Sequence, residues 1–463
     1  MARENRTHPA DNLGMDSEEM RRLGYKVVDL VVDRAINRSQ EPVIRESDPQ
    51  TLTAILGGPL PERPLSADAS LDLLAETALA HMQHGDHPRY FARVPGPASF
   101  AAILGEWLGT GFNTIATSWG GASGPATLEL VVIGWLAELL GLTREIEGVL
   151  LSGGSLANLT AFAVARNELG EGVAYFSDQT HASLPRNLRT LGWAEENMRM
   201  LATDDNLRMD LANLRRAVAK DRKLGRMPRM VIASAGTTNT GACDPLDQLA
   251  DFCAEQGLWL HVDGAYGGPA ALTEQGRTYL SGMERADSLV IDPHKWLFQP
   301  YDVGACFVTR PGALERCFAM NPEYLKDVKT TQGAVNFGDR SLELTRRSRA
   351  IKLWMSLRTY GAERFRKAVA RGIALAEYAE SRLRAEPETW EVVTPAQIGV
   401  VCFALRHADP SEHARRAARL TESGFAAVTS TSLKGRSVLR LCTINPTTSE
   451  ADIAEVIRRL GEE

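Results

Sequence analysis

Cysteine is sparse in this chain and follows no pattern. The six cysteines among 463 residues, at 243, 253, 306, 317, 402 and 442, form no C-x-x-C pair. That excludes the common zinc and disulfide frameworks and leaves reduced core thiols in a cytoplasmic protein as the expectation. A basic excess is also missing. The 52 Lys and Arg against 58 Asp and Glu give a formal net charge of −6, so no basic face is expected for nucleic acid. Between Met1 and Gly14 no apolar stretch resembles a secretory signal. The longest apolar run, Leu128 to Leu142, carries Glu129 and Glu138 and is too short to span a bilayer, so no membrane partner is expected. Internal repeats and low-complexity segments are absent.

What is present suits a large globular enzyme. With 44% hydrophobic residues, the chain has ample material for one large core and a smaller second one. Apolar positions Met20, Leu23, Val27, Val28, Leu30 and Val31 recur at helical spacing over residues 16–36, and a second helical pattern covers Leu71 to Met82. Residues 1–85 therefore read as a helical arm with little core of its own. From about 86 to 348 strands and helices alternate. Gly148–Leu151, Met230–Ser234 and Leu258–Val262 read as strands, Ser288–Ile291 is a further apolar run, and Asp244-Pro245 reads as the start of a helix stopped by Gly257. Such alternation predicts an α/β domain with a mostly parallel sheet covered by helices on both faces. Residues 349–463 read as a small α+β domain, entered by a long helical pattern from Arg349 to Arg384 that is interrupted at Gly361.

The chemistry concentrates between His261 and Pro300. Asp263 ends a predicted strand in His-Val-Asp-Gly-Ala-Tyr, and Lys295 follows roughly thirty residues later in Asp-Pro-His-Lys-Trp. A lysine able to hold an aldehyde as an imine, with a carboxylate able to keep a pyridine nitrogen protonated, is what pyridoxal 5′-phosphate (PLP) requires. Ser152-Gly153-Gly154-Ser155 lies between a strand and a helix, where backbone N–H groups and the helix dipole favour a phosphate. Asn158 projects one turn further along. His81, His84 and His87 have H-x-x-H-x-x-H spacing, but no cysteine joins them and His87-Pro88 breaks the helix. No metal site is expected.

Taken together, these motifs resemble the group II PLP-dependent amino-acid decarboxylases, the family of aromatic-L-amino-acid decarboxylase, over roughly residues 20–445. The resemblance implies PLP fold type I and a homodimer, with the N-terminal arm packed on the partner and active sites at the interface. It implies Lys295 as the imine lysine, Asp263 on the pyridine nitrogen and Ala265 against the ring. Gly154 and Ser155 fall on phosphate contacts, Asp292 lies near the phosphate and His294 over the cofactor. His181, in Ser-Asp-Gln-Thr-His-Ala-Ser, takes the place of the histidine that stacks on the ring. Thr238, in Gly-Thr-Thr-Asn-Thr-Gly, comes near the cofactor hydroxyl. The implied reaction is decarboxylation of a small-molecule L-amino acid, aromatic or with a bulky or polar side chain, through an external aldimine and a quinonoid.

Two departures stand out. The substrate segment after His87-Pro88 has Arg93, Val94 and Gly96 where the family places a tyrosine, a phenylalanine and a threonine. Thr117, near Ile115, replaces a phenylalanine given by the neighbouring subunit. These changes remove aromatic area and add polarity. Counted back from Arg346-Arg347, Phe337 takes the place of a loop tyrosine that reprotonates the substrate carbon. Family members with phenylalanine there resemble aldehyde synthases, which use dioxygen and release aldehyde, ammonia, carbon dioxide and hydrogen peroxide. Simple and oxidative decarboxylation both stay open. So do an aminotransferase, a side-chain elimination enzyme and a non-catalytic PLP-fold protein.

Overall fold

The computed structural model describes residues 13–142, 146–320 and 333–462. Its centre is a seven-stranded sheet. The strands are β1 (Glu147–Leu151), β2 (Val173–Ser177), β3 (Met198–Leu201), β4 (Pro228–Ser234), β5 (Trp259–Asp263), β6 (Ser288–Ile291) and β7 (Gly304–Val308), in the order β1-β7-β6-β5-β4-β2-β3. From β6 to β3 all pairings are parallel, while β7 runs antiparallel to both its neighbours. Apart from the edge strand β3 the strands are almost wholly buried, which is why they read as continuous apolar runs rather than alternating ones. A second sheet of β8 (Trp390–Gln397), β9 (Val400–Leu405), β10 (Thr429–Leu433) and β11 (Arg436–Cys442) is antiparallel, in the order β10-β11-β9-β8.

Register decides where the site lies. Ser234 pairs with Asp263, Ile291 with Ala305, and Leu151 with Gly304. The carboxyl ends of β1, β4, β5 and β6 therefore meet the start of β7 along one edge of the sheet. Ligands in such sheets bind beyond that edge.

Several elements depart from the sequence reading. The pattern over Leu71–Met82 is a helix only over Ala67–Leu73, followed by a wider π-helical turn, Leu74–Ala78. It ends where the His81 ring takes the Thr77 carbonyl at 2.8 Å. Asp244 does not cap the helix Leu246–Gln256. Its buried carboxylate instead accepts N–H bonds from Ser234 (2.7 Å) and Met209 (2.6 Å) and so ties down the end of β4. Gly257 does stop that helix, in the left-handed conformation at φ 64°.

The run around Leu128 belongs to a 22-residue helix, Trp119–Leu140, which by length and composition is apolar enough to cross a membrane. In this fold it packs into the core, and its Glu129 is wholly buried against Arg346. The long helix Ala350–Arg384 changes direction at Gly361 and packs on the smaller sheet and on the helices Phe100–Gly111 and Trp119–Leu140. Residues 89–91 hydrogen-bond to Ala427 and Cys442 and so lie along the smaller sheet.

Candidate active site

At the sheet edge lies a cavity of about 390 Å³, lined by Gly154, Ser155, Asn158, His181, Thr238, Asp263, Ala265, Asp292, His294 and Lys295. These come from five separate stretches of chain. The glycine turn is needed for their close approach. A Cβ on Gly153 would lie 2.9 Å from His294 Cε1, and one on Gly154 would lie 2.9 Å from Asp292 Oδ2 and 3.1 Å from the Ala265 Cβ. Gly153 also has φ 152°, and the helix Gly154–Leu169 begins directly after it with its N–H groups open to the cavity.

Charge in the cavity centres on Lys295. Its Nζ lies 2.9 Å from Asp292 Oδ2, which is also 3.6 Å from His294 Nε2. Burial disfavours the Lys295 ammonium, but Asp292 and Asp263 outweigh it and raise its pKa. Burial likewise raises the Asp263 pKa, against the pull of Lys295 and an N–H bond from Ala265 at 3.1 Å. The second oxygen of Asp292 is buried with no hydrogen-bond partner. His294 Nδ1 accepts the Val303 N–H at 3.2 Å, and burial lowers its pKa. His181 Nδ1 accepts the Ser183 N–H at 3.3 Å. Burial lowers the His181 pKa too, despite the opposing field of Asp263, so the ring is neutral with its proton on Nε2.

The substrate-side residues do not share this cavity within one chain. Arg93 is exposed, with φ 48°, and its carbonyl accepts from Arg440 at 2.6 Å. Val94 packs against the main core. Gly96 stands beside Tyr301, whose ring lies 4.9 Å from that of His294. Ile115 bridges to Arg347, and the Thr117 hydroxyl bonds the Leu344 carbonyl while its own carbonyl accepts the Gly338 N–H at 2.9 Å. Phe337 joins that second cluster. It is wholly buried, with the Arg346 guanidinium 5.1 Å over its ring, and it lines no part of the Lys295 cavity. Within one chain the ring therefore faces this core and not the Lys295 cavity, since an apolar ring gains from burial.

Sequence reasoning also missed residues. Tyr301, Gln179 and the buried Glu129–Arg346 pair were not singled out. Gln179 sits in the His181 segment and Tyr301 follows Lys295 closely, so proximity to known motifs was the available signal. The ring nitrogens of His81, His84 and His87 engage the Thr77 carbonyl, Arg34 with Glu41, and the Arg89 N–H respectively.

The family description "Pyridoxal-dependent decarboxylase conserved domain" matches residues 49–406. The chain is 42% identical to an aromatic-L-amino-acid decarboxylase of Bacillus atrophaeus, over 98% of both chains. It is 32% identical to a phenylacetaldehyde synthase of Arabidopsis thaliana, covering 97% of this chain and 96% of that one. Among solved structures, Oryza sativa TDC with PLP and tryptamine superposes with a TM-score of 0.92 at 28% identity, over 97% of this chain and 99% of that one. The local chemistry suits the cofactor: a half-buried amine, a half-buried carboxylate on the cavity wall, a glycine turn at a helix N-terminus, and an unpartnered Asp292 oxygen beside it. On these grounds the chain belongs to the pyridoxal-dependent decarboxylase family, and its cofactor is pyridoxal 5′-phosphate.

Proposed function

We propose that the protein removes the α-carboxylate of an L-amino acid with an aromatic or polar-tipped side chain and releases the amine. The observation that carries this reading is the convergence of Lys295, Asp263 and His181 with the glycine turn on one cavity. Gly154, Ser155 and Asn158 would hold the phosphate, and Asp263 the ring nitrogen. His181 and Ala265 would flank the ring, Thr238 would meet its hydroxyl, and Lys295 would supply the amine. Bound there, the cofactor supplies an aldehyde for amine condensation and a ring that accepts the electron pair left by the departing carboxylate. Neutral His181 and His294 are then the side chains able to hold or pass a proton beside Lys295.

A homodimer accompanies this reading. Phe112, Leu108 and Ile115 are 80%, 55% and 48% exposed, and an apolar surface of that kind favours a partner chain. The cluster of Ile115, Thr117 and Phe337 would then stand at the partner's cavity. Mass measurement in solution tests it.

A second reading, aldehyde formation with dioxygen, is supported by Phe337 and by the relation to a phenylacetaldehyde synthase. The amine reading stands first because it is supported by 42% identity to an aromatic-L-amino-acid decarboxylase, against 32% to the phenylacetaldehyde synthase. Product analysis over an amino-acid panel, with oxygen uptake followed in parallel, separates the two. Amine without oxygen consumption is expected. Aldehyde with hydrogen peroxide would favour the second reading.

A further inference from the structure

Beneath the cavity four buried polar side chains form a row whose direction is set at one end. The indole N–H of Trp259 can only donate, and it donates to Ser288 Oγ at 2.8 Å. The Ser288 proton is then free for His261 Nδ1, 2.8 Å away. The imidazole accordingly carries its own proton on Nε2, 2.7 Å from Asn158 Oδ1. Trp259, Ser288 and His261 are wholly buried and Asn158 is 1% exposed. Burial pushes the His261 pKa down to about 3, so no second ring proton disturbs the order. Phe162 packs edge-on against the ring, 5.0 Å between centroids.

The consequence falls on Asn158. With its oxygen committed to His261, the amide leaves its nitrogen for the cavity, which Asn158 lines. Asn158 stands one turn after Gly154 on the same helix, hence on the same face. A flipped amide would present an oxygen there and repel an anion.

We infer that Trp259, Ser288 and His261 are positioning residues that hold the Asn158 amide with its N–H groups toward the phosphate of the cofactor. The inference rests on the reading that the Gly154–Ser155 turn takes that phosphate. It separates cofactor retention from chemistry, since none of the three positioning residues lines the cavity.

The test is a titration of the cofactor-free protein with PLP and with pyridoxal, which lacks the phosphate, followed by absorbance. A hydrogen bond to a charged group is worth roughly ten- to a hundredfold in binding. Asn158→Ala is expected to weaken PLP by that factor and to leave pyridoxal little changed. Ser288→Ala should act in the same direction, because the His261 proton order is lost. The double variant Asn158→Ala/Ser288→Ala should bind PLP no more weakly than Asn158→Ala alone. If Ser288→Ala does not fold, Trp259→Phe, which removes only the fixed donor, is measured in its place. Equal weakening of PLP and pyridoxal, or losses that multiply in the double variant, would overturn the inference. Wild-type protein that prefers PLP no more than pyridoxal would overturn the phosphate reading itself, and the inference with it.

Discussion

A side chain at position 96 would begin where the Tyr301 hydroxyl now stands. A Cβ built on Gly96 meets that hydroxyl first, then Tyr301 Cζ at 2.8 Å and Cε2 at 3.1 Å. Tyr301 also packs against His294, so glycine at 96 lets a phenol stand beside the cavity. The backbone around Tyr301 is held by Lys352, whose Nζ donates to the Pro300 and Asp302 carbonyls at 2.9 Å each. A substitution at 96 must therefore move the ring rather than the loop. Gly96→Ala should raise KM several-fold with the cofactor absorbance unchanged, and Tyr301→Ala should relieve that effect. Steady-state kinetics of the two single variants and the double variant check this. Additive losses would mean that the two positions act separately.

Asp263 lies in the same cavity as Lys295, whose positive charge opposes the rise in its pKa that burial causes. Asp263→Asn should keep the cofactor bound, because the glycine turn is separate, and should lose turnover. Removing one partner of a buried charge pair costs about 3–5 kcal/mol, several powers of ten in rate. Cofactor occupancy by absorbance and kcat on the same sample test the two halves. A near-normal kcat would remove Asp263 from the mechanism.

Arg346 and Glu129 form a wholly buried pair with contacts of 2.8 and 2.7 Å, and Arg346 also donates to the Ala116 and Leu150 carbonyls. Leu150 lies in β1, directly before the glycine turn. Arg346→Met leaves the carboxylate uncompensated and should destabilise by about 3–5 kcal/mol. Adding Glu129→Gln should recover part of that loss. Urea unfolding of the single and double variants gives both numbers.

His261 makes stability depend on pH. In the folded chain burial depresses its pKa to about 3, whereas the unfolded residue titrates near 6.5. Between those values the unfolded chain binds the extra proton, so stability falls as pH drops from about 6.5 toward 3. At pH 5 this amounts to about 2 kcal/mol relative to pH 7. His261→Gln should show a shallower loss over that interval in urea melts. An identical slope in both proteins would assign the acid sensitivity elsewhere.

The sequence reading located the cofactor cavity far better than the substrate side. Lys295, Asp263 and the glycine turn each follow a local rule, a cation that needs a reason to be buried, a strand end and a turn before a helix, whereas His181 follows only from the family resemblance. Parallel register then brings them to one edge, and that register follows from short apolar strands. Phe337 obeys no such rule. Its place depends on a contact with Arg346 from the following segment, and counting positions along a loop carries no information about packing. Asp244 looked like a helix cap because Asp-Pro is a good local signal, yet two N–H groups from β4 and Met209 compete for its oxygens and win. Tyr301 is tied to the site only through its contacts with Gly96 and His294, which no local pattern encodes.

The most direct test of the central claim uses L-amino acids labelled in the α-carboxyl group, offered to the wild type and to Lys295→Ala. The account predicts that the wild type releases one labelled carbon dioxide for each amino acid consumed, and that Lys295→Ala folds but releases none. Label retained in a keto acid or in an elimination product would contradict it. So would undiminished release from Lys295→Ala.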